Sequence, residues 1–434
     1  MRVIFPSGLA DHRHPHLSEP EDHSHGLSRG LAALLFAAAF PVASPAMAQE
    51  TQAAQPASQP APGPTQQAPA ASQPSPPTLS PSMTGPLQAN TKPIHFDGGP
   101  LGPIYLSGVI TALGITEDHP APTDKKSRID ASNWGLILQN SQGLVQFYVQ
   151  AGAYSQPSLG TPYFTDWFTT RHTYGLVPLA YVKIAPNSDF NIEVGKLLTL
   201  QGAENTFTFQ NFDIERGLLW NQTNAINRGI QANYSHGPLS ISLSLNDGYY
   251  SAKYNWLSGT IGYTLSSKDS VTLGASGSLS RNARSTFATP TALNNGQLFF
   301  LSWTHTDGPW TLQPYVQFGH VPRRDSVGIE HSASTYGGGL LGKYSFTKEI
   351  ALAGRAEIIN STGSLADGAP SLVYGPGSGA WSLTLTPTWQ KGVFFARGEG
   401  SYVRAFKVVP GFGLGRDFDR KSQLRGLLEA GVIF

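Results

Sequence analysis

The sequence predicts an all-β fold, a transmembrane antiparallel β-barrel of about sixteen strands. Three observations carry that prediction. Segments of about ten residues alternate apolar and polar side chains, the connections between them alternate short and long, and the chain closes on an oily strand ending in Phe434.

Ahead of the barrel, residues 1–48 read as a leader and signal peptide. Arg29 precedes an apolar run from Leu31 to Val42, and Ala46-Met47-Ala48 supplies a small-residue cleavage site. The run is shorter than the ~20 residues a spanning helix needs, which favours a cleaved signal over an anchor. The His-rich stretch before it, "DHRHPHLSEPEDHSHG", is expected to be discarded with the leader, metal binding being the weaker alternative. Its length also raises the question of a start codon downstream of Met1. Residues 49–93 are nearly all Pro, Ala, Gln, Ser and Thr, a composition that cannot bury a core, so a disordered tether is expected there. No further linker follows, and residues 94–434 form one domain.

Within that domain the period of two recurs with strand centres near 108, 134, 148, 180, 194, 232, 242, 261, 274, 301, 316, 340, 354, 385, 398 and 429. "LSISLSLN" (239–246) sets leucines and an isoleucine against serines, and "WSLTLTPTW" (381–389) sets Trp381 and Trp389 on the leucine face against Ser and Thr. Turn-forming residues make the short connections, among them "PNSD" (186–189), "SSKD" (266–269) and "QKG" (390–392). The long ones run over 154–173, 201–229, 279–295, 321–334, 360–379 and 405–422. Sorting loops by length at the two rims is a property of outer-membrane barrels that a soluble sandwich has no reason to share. The face opposite the oily stripe carries Arg355 with Glu357, Arg397 with Glu399 and Arg425 with Glu429. Charge there is tolerable on a wall that meets water, so the leucines are expected to face lipid and the serines a wet lumen.

Composition agrees. The chain is 13% charged with net charge +1, where a soluble protein carries about a quarter charged residues. Near-neutrality gives no reason to expect a nucleic-acid partner, and the lack of Cys removes disulfides, thiolate metal sites and Cys nucleophiles.

The stretch Val194 to Ser251 resembles the OmpL-like β-barrel porin family. It carries a strand with Gly195-Lys196, a long loop rich in Asn and aromatic residues, and "RGIQANY" where the next strand resumes. The resemblance implies an outer-membrane porin without catalytic residues. The expected function is passive diffusion of small hydrophilic solutes, in the outer membrane of a Gram-negative bacterium, with no cofactor and no metal. An adhesin or anchor built on the same barrel, and a barrel phospholipase, are the alternatives. The latter's His-x-Ser pair is missing from the mature chain, and His305 and His320 sit at strand ends as rim residues. "GGGLLG" (337–342) lacks the strand-turn-helix context of a dinucleotide fingerprint, and "DFD" (417–419) lacks the Gly and distal Glu of an EF-hand.

Expected pore-lining residues are Lys183, Glu193, Lys343, Arg355, Glu357, Arg397, Glu399, Arg425 and Glu429. The loop 201–229, with Phe207, Phe209, Phe212, Leu218, Leu219 and Trp220, is too oily to stand in water. It could cap the barrel mouth or seal a subunit contact; folded inward, the preferred alternative, it would narrow the pore, with Asp213, Glu215 and Arg216 opposite the charged wall and Glu215 and Arg216 as electrostatic gate residues. Expected partners are membrane lipid, small solutes, the barrel-assembly machinery through Phe434 and, as an open alternative, further copies of the chain.

Overall fold

The computed structural model describes residues 83–122 and 124–434; the expected signal peptide and most of the expected tether lie outside the described residues. The strands are β1 (Ile94–Asp97), β2 (Pro103–Glu117), β3 (Ser127–Asn140), β4 (Val145–Tyr154), β5 (Leu179–Ile184) and β6 (Phe190–Leu198). After a long connection follow β7 (Ile226–His236), β8 (Leu239–Asn246), β9 (Trp256–Thr264), β10 (Asp269–Ser278), β11 (Gln297–Asp307) and β12 (Trp310–Val321). The last five are β13 (Ala333–Ser345), β14 (Ile350–Ser361), β15 (Gly379–Lys391), β16 (Phe394–Phe406) and β17 (Ser422–Ile433). Every centre read from the sequence falls inside one of β2 to β17.

Each strand pairs antiparallel with its neighbour in sequence, and β17 returns to β2 with Arg425 opposite Glu117 and Ile433 opposite Val109, closing a sixteen-stranded barrel. Beyond that seam Phe434 exchanges backbone hydrogen bonds with Gly108 at 2.9 and 3.0 Å. The short β1 then pairs with the start of β2, Ile94 opposite Leu106, and covers the edge that β17 leaves.

The alternation places side chains as an inside-out protein requires. Leu243 and Leu245 of "LSISLSLN" are 53% and 43% exposed on the outer wall, whereas Ser240, Ser244 and Asn246 are buried inward. In β15, Trp381, Leu383, Leu385 and Trp389 share the outer face while Ser382, Thr384, Thr386 and Thr388 are buried. Outward aromatics cluster beside the short turns, with Tyr234, Tyr263, Trp310, Phe346, Trp389 and Phe394, and again toward the long loops, with Phe299, Phe318, Tyr336 and Trp381. Such paired bands mark the two membrane interfaces.

Outer-membrane barrels carry their long loops outside and their short turns in the periplasm, and the same orientation is expected here. A protease-sensitive tag at Ala366, between β14 and β15, is expected to be cut in intact cells, and one at Lys268, between β9 and β10, to be protected. Cleavage at Lys268 with protection at Ala366 would invert the topology.

Candidate functional site in the barrel lumen

The connection from β6 to β7 does not stand above the rim. It turns into the lumen, where short 3-10 turns over Thr208–Gln210 and Trp220–Gln222 let it change direction. Its apolar residues account for this: Phe207, Phe209, Phe212, Ile214, Leu218 and Leu219 are each no more than 4% exposed. Burying a side chain of that size stabilises by about 1.5–3 kcal/mol. Inward residues of the wall receive them, Tyr315, Leu341, Ala353 and Val403 on one side and Val109, Ile137, Phe395 and Ile433 on the other.

Polar groups fix the register of the docked loop. Glu357 of β14 accepts from the Leu218 and Leu219 amides at 2.8 and 3.2 Å and from the Tyr315 hydroxyl at 2.7 Å. Glu399 of β16 accepts from the amides of Ile214 and Glu215. Arg397 donates to the Thr208 carbonyl at 3.1 Å and pairs with Glu429, whose other oxygen accepts from Thr208 Oγ1 at 2.7 Å. Arg425 bridges Glu117 at 2.7 Å and Glu215 of the loop at 2.8 Å. Arg355 reaches Glu204 at 2.7 Å, Glu357 at 3.3 Å and Asp213 at 3.7 Å, and donates to the Glu215 carbonyl at 2.7 Å. Arg216 donates to the Thr206 carbonyl at 2.9 Å and lies over the Trp220 ring at 5.0 Å.

Glycine makes the close approach possible. A Cβ on Gly217 would sit 2.2 Å from the Glu357 carboxylate, and on Gly337 2.9 Å from Leu219 Cδ2. The "GGGLLG" run is thus the part of β13 thin enough to admit the loop.

Of the nine residues expected to line the pore, six differ from the expectation in one respect. Arg355, Glu357, Arg397, Glu399, Arg425 and Glu429 do point inward, but each is at most 6% exposed because the loop lies on them. Charge is tolerated there through pairing and loop amides rather than through bulk water. The pairing also runs across strands. Arg397 meets Glu429 and Arg425 meets Glu117 because those residues are directly opposite in the ladder, closer than the second residue along the same strand. Lys183, Glu193 and Lys343 remain half-exposed, on the side the loop leaves open. Lys183 and Glu193 are opposite each other on β5 and β6. Asp213, Glu215 and Arg216 are fully buried between loop and wall. Glu117 and Glu204 complete the network and were not among the expected residues; Glu117, at the end of its strand, and Glu204, without a neighbouring cation in sequence, carry no local signal. Among the described residues no cluster of His, Asp and Glu has metal-binding geometry.

Four buried arginines thus face seven buried carboxyls, Glu117, Glu204, Asp213, Glu215, Glu357, Glu399 and Glu429. In the loop, burial pushes Glu204 up to about 7 against the pull of Arg355, with Glu357 and Asp213 adding to the rise. The protonated group is the one the docked loop favours. Its contribution to docking is full below the ordinary value of 4.5 and is lost as pH rises through about 7. Open-channel noise is expected to grow across that range, and Glu204→Gln to flatten the dependence; a wild-type trace indifferent to pH over about three units around it would contradict this.

Residues 83–87, which composition groups with the tether, also lie in the lumen, and 88–93 lead from them to the periplasmic mouth. Thr84 and Gly85 donate their amides to the Gln210 carbonyl at 3.0 and 3.2 Å, and Leu87 is 1% exposed. Leu87 has an apolar wall to cover, so the chain packs against the barrel already ahead of residue 93. On the outer side of the loop, Gln156, Phe164, Trp220, Gln222, Phe287 and Tyr374 help line an uncharged cavity of about 200 Å³.

Comparisons with known proteins agree with this geometry. The anion-selective porin from Comamonas acidovorans is 12% identical, with a TM-score of 0.53 over 76% of this chain and 99% of that one. The loop L8 deletion mutant of OmpT, an outer membrane protein of Vibrio cholerae, is 11% identical, with a TM-score of 0.51 over 76% and 99%. Salmonella typhi OmpF, in complex with daunomycin, is 10% identical, with a TM-score of 0.50 over 79% and 100%. At these identities the likeness concerns the fold alone. No curated protein sequence matches. A profile of the family described as "Putative beta-barrel porin-2, OmpL-like" matches residues 103–434. The chain therefore belongs to the OmpL-like β-barrel porins and is an outer-membrane porin of a Gram-negative bacterium.

Proposed function

We propose that the barrel passes small hydrophilic solutes down their gradient and that the inward-folded loop sets the size limit. The observation that carries this reading is the asymmetry of the lumen. The loop covers the inner faces of β14 to β17, while the inward Lys183, Asn191, Glu193, Asn233, Ser242, Thr272, Gln313 and Lys343 stay half-exposed on the other side. That open wall is mostly hydroxyl and amide, groups that exchange hydrogen bonds with water and solute alike. Its charges are two lysines and one glutamate, so weak ion selectivity is expected. Asp213, Glu215 and Arg216 act as fasteners of the loop rather than as surfaces the solute touches, and no residue is assigned a catalytic role. Vibrio cholerae OmpT, one of the similar folds, occurs in a trimer form. Self-association of this chain is a proposal that native mass measurement in detergent tests.

A liposome-swelling series across sugars, amino acids and organic acids of increasing size tests the function. Swelling that falls with solute size and depends little on charge supports it. No swelling with any solute from a correctly folded barrel refutes it.

A further inference from the structure

We propose that the segment Met83–Lys92 is a removable plug, an element of the chain's own N-terminus that blocks the periplasmic half of the pore and leaves it to open the channel. The proposal rests on the channel reading above and goes beyond it.

The path of the chain carries the argument. From β1 at the periplasmic rim the backbone, followed toward the N-terminus, turns into the lumen. Gln88 forms a reciprocal pair with the side-chain amide of Gln390, its N–H donating to Oε1 at 2.8 Å and its carbonyl accepting from Nε2 at 2.8 Å. Gln390 is next to last in β15, beside the short turn to β16, so this contact lies at the periplasmic mouth. Four residues on, the chain has reached the constriction loop. The Thr84 hydroxyl donates to the Gln210 carbonyl at 3.0 Å and accepts from Asn205 Nδ2 at 3.3 Å.

The wall beneath the segment is shaped to receive it. Val109, Ile137, Phe395 and Ile433 turn apolar side chains into the lumen and are buried, although their neighbours Ile110, Leu136 and Phe394 already face outward with 38–61% exposure. A lumen wall meant for water has no reason to be oily on both faces. Leu87 and the loop's Phe207 and Phe209 cover that patch.

The hold is weak enough to release. Leu87 is the one large side chain of the segment that is fully buried, and the rest is a handful of neutral hydrogen bonds, each worth about 0.5–1.5 kcal/mol net. Among the described residues none of its contacts is an ion pair, in contrast to the loop above it. The Pro/Ala/Gln-rich stretch that precedes it in sequence, lacking any apolar run to dock, suits a leash by which the plug is drawn out.

The test compares three proteins in planar bilayers: the full mature chain, a variant lacking residues 49–92, and the full chain carrying Thr84→Cys with Asn205→Cys. The natural sequence has no Cys, so the engineered pair is the only disulfide that can form. Deletion is expected to raise mean conductance at least twofold, and a synthetic peptide of residues 82–92 added on the periplasmic side to restore the block where a scrambled peptide does not. Oxidation of the Cys pair is expected to abolish the larger openings, and dithiothreitol to bring them back. Conductance of the deletion equal to that of the full chain overturns the plug, as does a double-Cys trace that oxidation leaves unchanged, which would make the segment a fixed part of the wall. If the loop deletion discussed below conducts while these outcomes fail, the plug alone is refuted. If no variant conducts, the channel reading has failed and the plug with it.

Discussion

Deleting Asn205 to Trp220 is expected to raise single-channel conductance severalfold while the barrel stays assembled. The loop contributes nothing to the backbone ladder, which runs unbroken from β2 round to β17 and back. What it contributes is volume, since its six large apolar side chains and its charged residues all lie inside the cylinder. Removing it returns Arg397, Glu399, Arg425 and Glu429 to water, where ion pairs are worth little but unpaired charges also cost little. The barrel therefore loses its filling without acquiring a buried charge. Heat-modifiable migration on a gel checks assembly, and the bilayer trace checks the pore. An assembled deletion that conducts like the parent would show that solutes never passed through the space the loop narrows.

The strands were legible because the membrane imposes one rule on all of them: one face meets lipid and the backbone must be fully paired. "LSISLSLN" and "WSLTLTPTW" obey it without exception, and the sixteen centres needed no knowledge of neighbours. That the apolar surface from Phe207 to Trp220 needs covering was legible; that the lumen covers it, rather than the barrel mouth or a subunit contact, was a preference that the sequence alone does not decide. Pairing inside the lumen was legible only in part: Arg355 does reach Glu357, two residues on, at 3.3 Å. Residues two apart on a strand look like partners in sequence, but the partner of Arg397 is set by the register of β16 on β17, a property of two strands thirty residues apart. The dock of the N-terminal segment was hidden for a related reason. Apart from Met83 and Leu87 its own residues are small or polar, and the clearer signal lies in the receiving wall, in the doubled apolar pairs Val109-Ile110, Leu136-Ile137 and Phe394-Phe395 and in the apolar Val432-Ile433-Phe434. Read as strands they are merely hydrophobic; only a closed barrel shows that half of each pair points into the pore.

Replacing Arg355 by Leu is expected to free the loop at neutral pH without unfolding the barrel. Among the described residues Arg355 is the one cation paired with Glu204, Asp213 and Glu357 together, and it also holds the Glu215 carbonyl. Leucine preserves much of the volume but leaves those carboxyls buried without a counter-charge, a loss of about 3–5 kcal/mol when one side of a buried ion pair is removed. At about 1.4 kcal/mol per factor of ten, the docked loop becomes roughly two to three and a half orders of magnitude less favoured. The trace should then show frequent large openings approaching the conductance of the loop deletion. Acid should quiet them, because burial raises Glu204 and Asp213 of the loop, and once protonated these no longer need the guanidinium. Arg355→Lys keeps a charge but loses the planar fork that serves several acceptors at once, and an intermediate phenotype is expected. Lys343→Leu, on the half-exposed wall, should leave the loop in place. In the loop-deleted background, where Asp213 and Glu215 are gone, Arg355→Leu should add nothing further, the non-additivity that two changes to one contact must show. A quiet Arg355→Leu channel at neutral pH would mean that apolar packing holds the loop and that the buried ions only follow it.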